Sequence, residues 1–140
     1  MARLHPYLTF GGDCRAAMTF YQSCLGGELE FSVVNDTPMA AQMPAEMQDK
    51  IMHSSLVAGD VTIMASDMLG SEAVTKGNII TLCLVGDSLT ELQKIFDLLA
   101  EGGEVTHQLK QEFWGDVYGD LFDRFGVRWM FNANQQPASA

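Results

Sequence analysis

The chain has 140 residues, enough for one domain with its own core, and 47% of them are apolar while 19% are charged. Its formal net charge of -10, from 18 acidic against 8 basic side chains, excludes nucleic acid or an anionic membrane as partner, since both would repel it. No apolar run approaches the roughly 18–20 residues of a membrane span. Arg3, His5 and Pro6 break up the stretch a signal peptide would need, and the three cysteines show no disulfide spacing, so a cytoplasmic protein is expected.

Residues 3–10 alternate with period two around Pro6, as an edge or starting strand does. On that alternation His5, Tyr7 and Thr9 share one face while Leu4, Leu8 and Phe10 turn toward a helix. Asp13 is the expected N-cap of that helix. Ala17, Phe20, Tyr21, Cys24 and Leu25 form its apolar stripe, and Gly26-Gly27 ends it. A strand near 28–34 leads into an irregular loop over about 36–50. There Met39, Met43 and Met47 either form an adaptable lid or pack under the loop. Strands near 51–58 and 61–66 are joined by Gly59-Asp60, a hairpin turn. His53 lies on the first of them, either pointing into a cleft to join His5 as metal ligand or general base, or hydrogen-bonded within the sheet or at a dimer edge. Asp67 is read as capping a second loop, about 68–77.

The second half repeats the first. Phe20, Gly26-Gly27 and Glu28 recur 76 positions later as Phe96, Gly102-Gly103 and Glu104, and Gly12-Asp13 recurs as Gly86-Asp87. Strands are expected near 78–85, 104–111, 117–122 and 128–133, with a turn at Phe125-Gly126. The helix between the first two opens with the capping box Ser88-x-x-Glu91, carries Leu89, Leu92, Ile95, Phe96 and Leu99 as its stripe, and stops at Gly102-Gly103. His107, in a polar strand, is expected to face solvent, and Trp129 to be core. Phe113-Trp114-Gly115 is either an aromatic clamp or a turn whose Trp caps the core. Cys14, Cys24 and Cys83 read as small apolar residues rather than nucleophiles.

This order, β-α-β-β-β twice, predicts an α+β fold in a single domain spanning 1–140, with module one at about 3–67 and module two at about 78–133. Each helix buries one stripe against one face of a four-stranded sheet. Two curved mixed sheets then surround an open cleft in which a small organic ligand would sit.

Seven stretches carry a family likeness: His5–Phe10 (HPYLTF), Phe20-Tyr21 with Gly26-Gly27, Lys50–His53 (KIMH), Ala65-Ser66-Asp67, Ala100–Gly103 (AEGG), Phe113-Trp114-Gly115 and Asp123–Trp129 (DRFGVRW). Through them the chain resembles the PhnB-like branch of the vicinal oxygen chelate superfamily, the grouping of glyoxalases, bleomycin-resistance proteins and extradiol dioxygenases. The resemblance implies a glyoxalase-like fold, a homodimer, and metal-ligand positions at His5, Met64, near Asn78, and Met130. Only His5 keeps a ligand there, because thioethers are poor donors to a hard or borderline ion. No cofactor is therefore expected, and a divalent metal held through His5 is the alternative. The cleft candidates are His5, Tyr7, His53, Met64, Trp114 and Met130, with no catalytic residue assigned. The expected function is binding of a small organic ligand with unassigned activity. Alternatives are a divalent-metal lyase or dioxygenase and a ligand-sequestering resistance protein. Methyltransferase activity, although the branch carries that label, is not expected, since no glycine-rich loop follows a first parallel strand.

Overall fold

The computed structural model describes residues 2–70 and 72–134, which fall into two compact units, Met1–Thr75 and Lys76–Ala140. In the first unit β1 (Tyr7–Phe10), α1 (Cys14–Leu25), β2 (Glu28–Val33), β3 (Ile51–Ala58) and β4 (Val61–Asp67) follow in order. In the second they are β5 (Leu82–Gly86), α2 (Leu89–Ala100), β6 (Glu104–Gln111), β7 (Val117–Phe122) and β8 (Arg128–Ala133). The sheets have matching orders, β1-β4-β3-β2 and β5-β8-β7-β6. In each, the first and last strands pair in parallel and the rest antiparallel, giving two mixed sheets in an α+β fold.

Each helix buries its stripe on one face of its own sheet. Cys14, Ala17, Met18, Tyr21 and Cys24 of α1 are buried, as are Phe10, Leu56, Ile63 and Ala65 of the sheet. The stripe runs through Cys14 and Met18 rather than Phe20, which is only half-buried. In the second unit Leu92, Phe96 and Leu99 meet Leu121, Trp129 and Phe131, with the Phe96 and Phe131 rings edge-on at 5.1 Å.

The double glycines have one physical reason in both copies. Gly26 takes a positive φ of 77° to end α1. A Cβ at Gly27 would collide with the Val57 carbonyl oxygen and with Ala58 at the end of β3. A Cβ at Gly103 would collide with the Phe122 carbonyl oxygen at the end of β7. The second glycine of each pair lets the chain leaving the helix press against the backbone of its neighbouring strand.

Several expectations need correction. The β1 ladder begins at Tyr7, not residue 3, because Pro6 has no N–H to donate; its carbonyl still accepts the Met64 amide at 3.1 Å. Leu4 does not face a helix and is 97% exposed. Strand β5 begins at Leu82 rather than near 78, since its parallel partner β8 starts only at Arg128. The loop over 34–47 contains three 3-10 turns, Val34–Asp36, Pro38–Gln42 and Ala45–Met47. Met39 is exposed and nothing in the last two turns is buried. Ser88 caps α2 as expected by accepting the Glu91 amide at 3.2 Å.

Asp13 does not cap α1 through its side chain, because its φ of -108° and ψ of 23° lie outside the extended geometry a side-chain cap needs. Asp67 takes that role from across the sheet. Buried at the end of β4, its Oδ1 accepts the Cys14 amide at 3.0 Å and its Oδ2 the Ile51 amide at 2.9 Å. It therefore ties the first turn of α1 to the start of β3, rather than capping the following loop. No helix among the described residues is long and apolar enough to cross a membrane.

Asp67→Asn replaces one accepting oxygen with a donor facing a buried N–H. It should lower unfolding free energy by about 2–3 kcal/mol, read as a reduced urea midpoint at unchanged m-value.

Candidate functional site

With one face of each sheet covered by its helix, the other face holds the unclaimed side chains. In the first unit the register sets Tyr7 beside Met64 and Met64 beside Ser55, with Thr9, Ser66 and His53 one step along. None of these is buried, whereas Phe10, Ser54, Ile63 and Ala65, which alternate with them, are. Tyr7 reaches across β4 to His53: Oη and Nδ1 are 3.1 Å apart, and the rings stack at 5.7 Å and 29°. The structure thus joins three of the candidate residues, Tyr7, His53 and Met64. His5 lies outside them, half-buried ahead of β1.

The second unit carries a denser polar cluster on the equivalent face. Asp120 of β7 pairs with Met130 of β8 on one side and His107 of β6 on the other, and Cys83 lies beyond Met130. Asp120 is 1% exposed. Oδ2 accepts the Tyr118 hydroxyl at 2.6 Å, both oxygens lie within 3.1 Å of His107 Nδ1, and Arg128 Nη2 is 3.7 Å from Oδ2. Burial acts to raise the Asp120 carboxyl. The hydrogen bonds from Tyr118 and His107, with the charges of His107 and Arg128, outweigh it and hold the group below its ordinary value. Burial, reinforced by the hydrogen bond to Asp120 and its charge, pushes the Tyr118 phenol up to about 12. On the same strand face Arg128 Nε and Asn132 Oδ1 are buried without a hydrogen-bond partner among the described residues.

His107 is therefore not a free surface histidine: its ring is 59% exposed, but its Nδ1 edge is fixed on a buried carboxylate. Sequence reasoning missed this cluster. The available signal was Asp120 in the apolar strand VYGDLF, with Tyr118 two residues before it on the same face. His107 could not be paired with it by counting, because β6 is bulged on both sides of that residue.

Trp114 sits in the β6–β7 turn and is 52% exposed, so it does not cap the core. Its ring meets Phe113 edge-on at 4.9 Å and Tyr118 edge-on at 6.3 Å. Trp129 is buried, as expected, and donates its indole N–H to Asp123 Oδ2 at 2.9 Å. Burial pushes the Cys14 thiol up to about 11, which leaves it a poor nucleophile.

The residues at the inherited metal positions do not fit a divalent ion. Met64 and Met130 are thioethers, Asn78 is exposed ahead of β5, and His5 precedes β1. Among the described residues no three His, Cys, Asp or Glu side chains are grouped to hold a metal.

Comparison with known proteins agrees with this architecture. A family model described as the Glyoxalase/Bleomycin resistance protein/Dioxygenase superfamily matches residues 3–131. Protein YjdN of Escherichia coli (strain K12) is 34% identical over 143 residues, covering 96% of this chain and 97% of that protein. The crystal structure of PA1353 from Pseudomonas aeruginosa superposes with a TM-score of 0.86 at 39% identity, over 97% of this chain and 100% of that one. A PhnB protein from Bacillus cereus shares the fold, with a TM-score of 0.74 at 20% identity over 95% of this chain and 100% of that one.

A phenol whose pKa is raised by folding holds its stabilising contribution below its unfolded value, roughly 10, and loses it as pH rises through the folded value. An ultraviolet titration should therefore show a late ionisation step for the Tyr118 phenol, near pH 12, with stability falling between about pH 10 and 12. Tyr118→Phe should abolish that late step.

Proposed function

The chain belongs to the glyoxalase/bleomycin resistance protein/dioxygenase superfamily, and on that premise we propose that it binds a small amphipathic organic molecule on the open face of its first sheet. The Tyr7–His53 pair carries this reading. A neutral imidazole and a phenol sharing one hydrogen bond keep one donor and one acceptor for a ligand, whichever way the shared proton lies. Met64, beside Tyr7 in the register, supplies an adaptable apolar contact. A few convergent polar groups beside apolar surface are what a small-molecule site requires. Chemistry at the inherited metal positions has no part in this reading, because the donors there do not suit a divalent ion.

The three free cysteines, two of them buried, support a reducing cytoplasmic setting. A homodimer is also proposed. Leu4, Ile79, Ile80 and Phe113 are each at least 75% exposed in the isolated chain, apolar area that symmetric pairing would cover.

A thermal-shift screen of small organic compounds should yield a ligand whose affinity falls about tenfold in Tyr7→Phe or His53→Gln, the loss of one hydrogen bond. If binding is indifferent to both substitutions, the site lies elsewhere. Light scattering should give twice the 15.4 kDa chain mass; the single mass would remove the dimer.

A further inference from the structure

The second sheet offers a site of different chemistry from the Tyr7–His53 face. Asp120 is ionised and accepts only, so the proton between it and His107 belongs to Nδ1. In the neutral imidazole Nε2 is then an unprotonated lone pair, on the ring edge away from the carboxylate, in a side chain that is 59% exposed. Tyr118 donates its hydroxyl proton to the same carboxylate, so its ring is held rather than free to swing. The His107 and Tyr118 centroids are 6.4 Å apart and those of Tyr118 and Trp114 6.3 Å, with planes inclined at 60° and 64°, so Tyr118 neighbours both the imidazole and the exposed indole.

We propose that His107, Tyr118 and Trp114 form a ligand site for a flat organic molecule bearing an acidic hydroxyl, which stacks on the Trp114 indole beside the edge-on Tyr118 ring and presents its O–H to Nε2 of His107. Asp120 is the positioning residue: it fixes the tautomer and compensates the imidazolium that forms if the proton transfers. In that step the proton passes from the ligand oxygen to Nε2, the O–H electron pair stays on the oxygen, and no other bond changes. Arg128, at 3.7 Å, balances the carboxylate from behind. The two buried polar atoms without partners, Arg128 Nε and Asn132 Oδ1, flank Met130 on the same face of β8.

Two measurements on the full chain decide it. Nitrogen-15 NMR of the imidazoles, with His107 assigned by its loss in His107→Gln, should show the Nδ1–H tautomer in the neutral protein. Asp120→Asn should abolish that preference. An Nε2–H tautomer in the unsubstituted protein would overturn the proposal, and this holds even if Asp120→Asn does not fold. The binding probe is p-nitrophenol, added near neutral pH, where part of the free phenol is un-ionised and the nitrophenolate band of the free probe is subtracted. It should saturate with quenching of tryptophan fluorescence and growth of the nitrophenolate band. His107→Gln should weaken binding about tenfold and remove the band, and Trp114→Ala should weaken binding without removing it. Absence of saturable binding, or equal binding by His107→Gln, would sink the idea. Neither readout involves Tyr7 or His53, so this site and the first-sheet site can fail independently.

Discussion

Where each helix ends, the chain passes so close to the backbone of a neighbouring strand that there is no room for a Cβ. Gly27 against Val57 and Gly103 against Phe122 are the same contact made twice. From it follow the pairing of β2 with β3 and of β6 with β7, and the seating of each helix on a single face of its sheet. Because one twelve-residue helix can cover only one face, the opposite face in each unit keeps its polar side chains unclaimed by the core. The position of Tyr7–His53 and of the Asp120 cluster is a consequence of that packing.

The buried carboxylates separate scaffold from candidate site. Asp67 is satisfied by two backbone amides. Asp123 is satisfied by the Phe125 and Val127 amides and the Trp129 indole. Both organise backbone, Asp67 at the starts of α1 and β3 and Asp123 in the turn between β7 and β8. Asp120 is as deeply buried, yet its partners are side chains, and one of them, His107, reaches solvent. A carboxylate that spends its hydrogen bonds on a phenol and an imidazole fixes the orientation and proton position of groups that can meet a ligand. Family membership supplies the fold, and the chemistry has to be read from such groups rather than from the inherited metal positions.

Most of the secondary structure was legible because the repeat announces itself through local rules. Both helices, the Gly59-Asp60 hairpin and the Ser88 cap rest on neighbours within a few residues. The strand starts were misplaced where a partner decides them: Pro6 halts the β1 ladder, and the late start of β8 shortens β5. Half of the candidate site was also legible. Tyr7 follows from period-two alternation and Trp114 from its motif, whereas Met64 enters through the family likeness and alternation leaves the facing of His53 open; strand register then sets Tyr7, His53 and Met64 on one face.

The sequence by itself determined the duplicated α+β module and the larger part of each helix stripe (Ala17, Tyr21 and Cys24; Leu92, Phe96 and Leu99), since periodicity is a property of local residues. Met64 and Met130 are poor metal donors at positions that the family resemblance points to. Only the tertiary structure decided that Asp67 rather than Asp13 caps α1, and that His107 is held by Asp120. Asp67 is 53 residues from the amide it accepts, and His107 meets Asp120 across a bulged strand pair. Such contacts are set by the register between strands distant in sequence, and a single bulge changes which side chains meet.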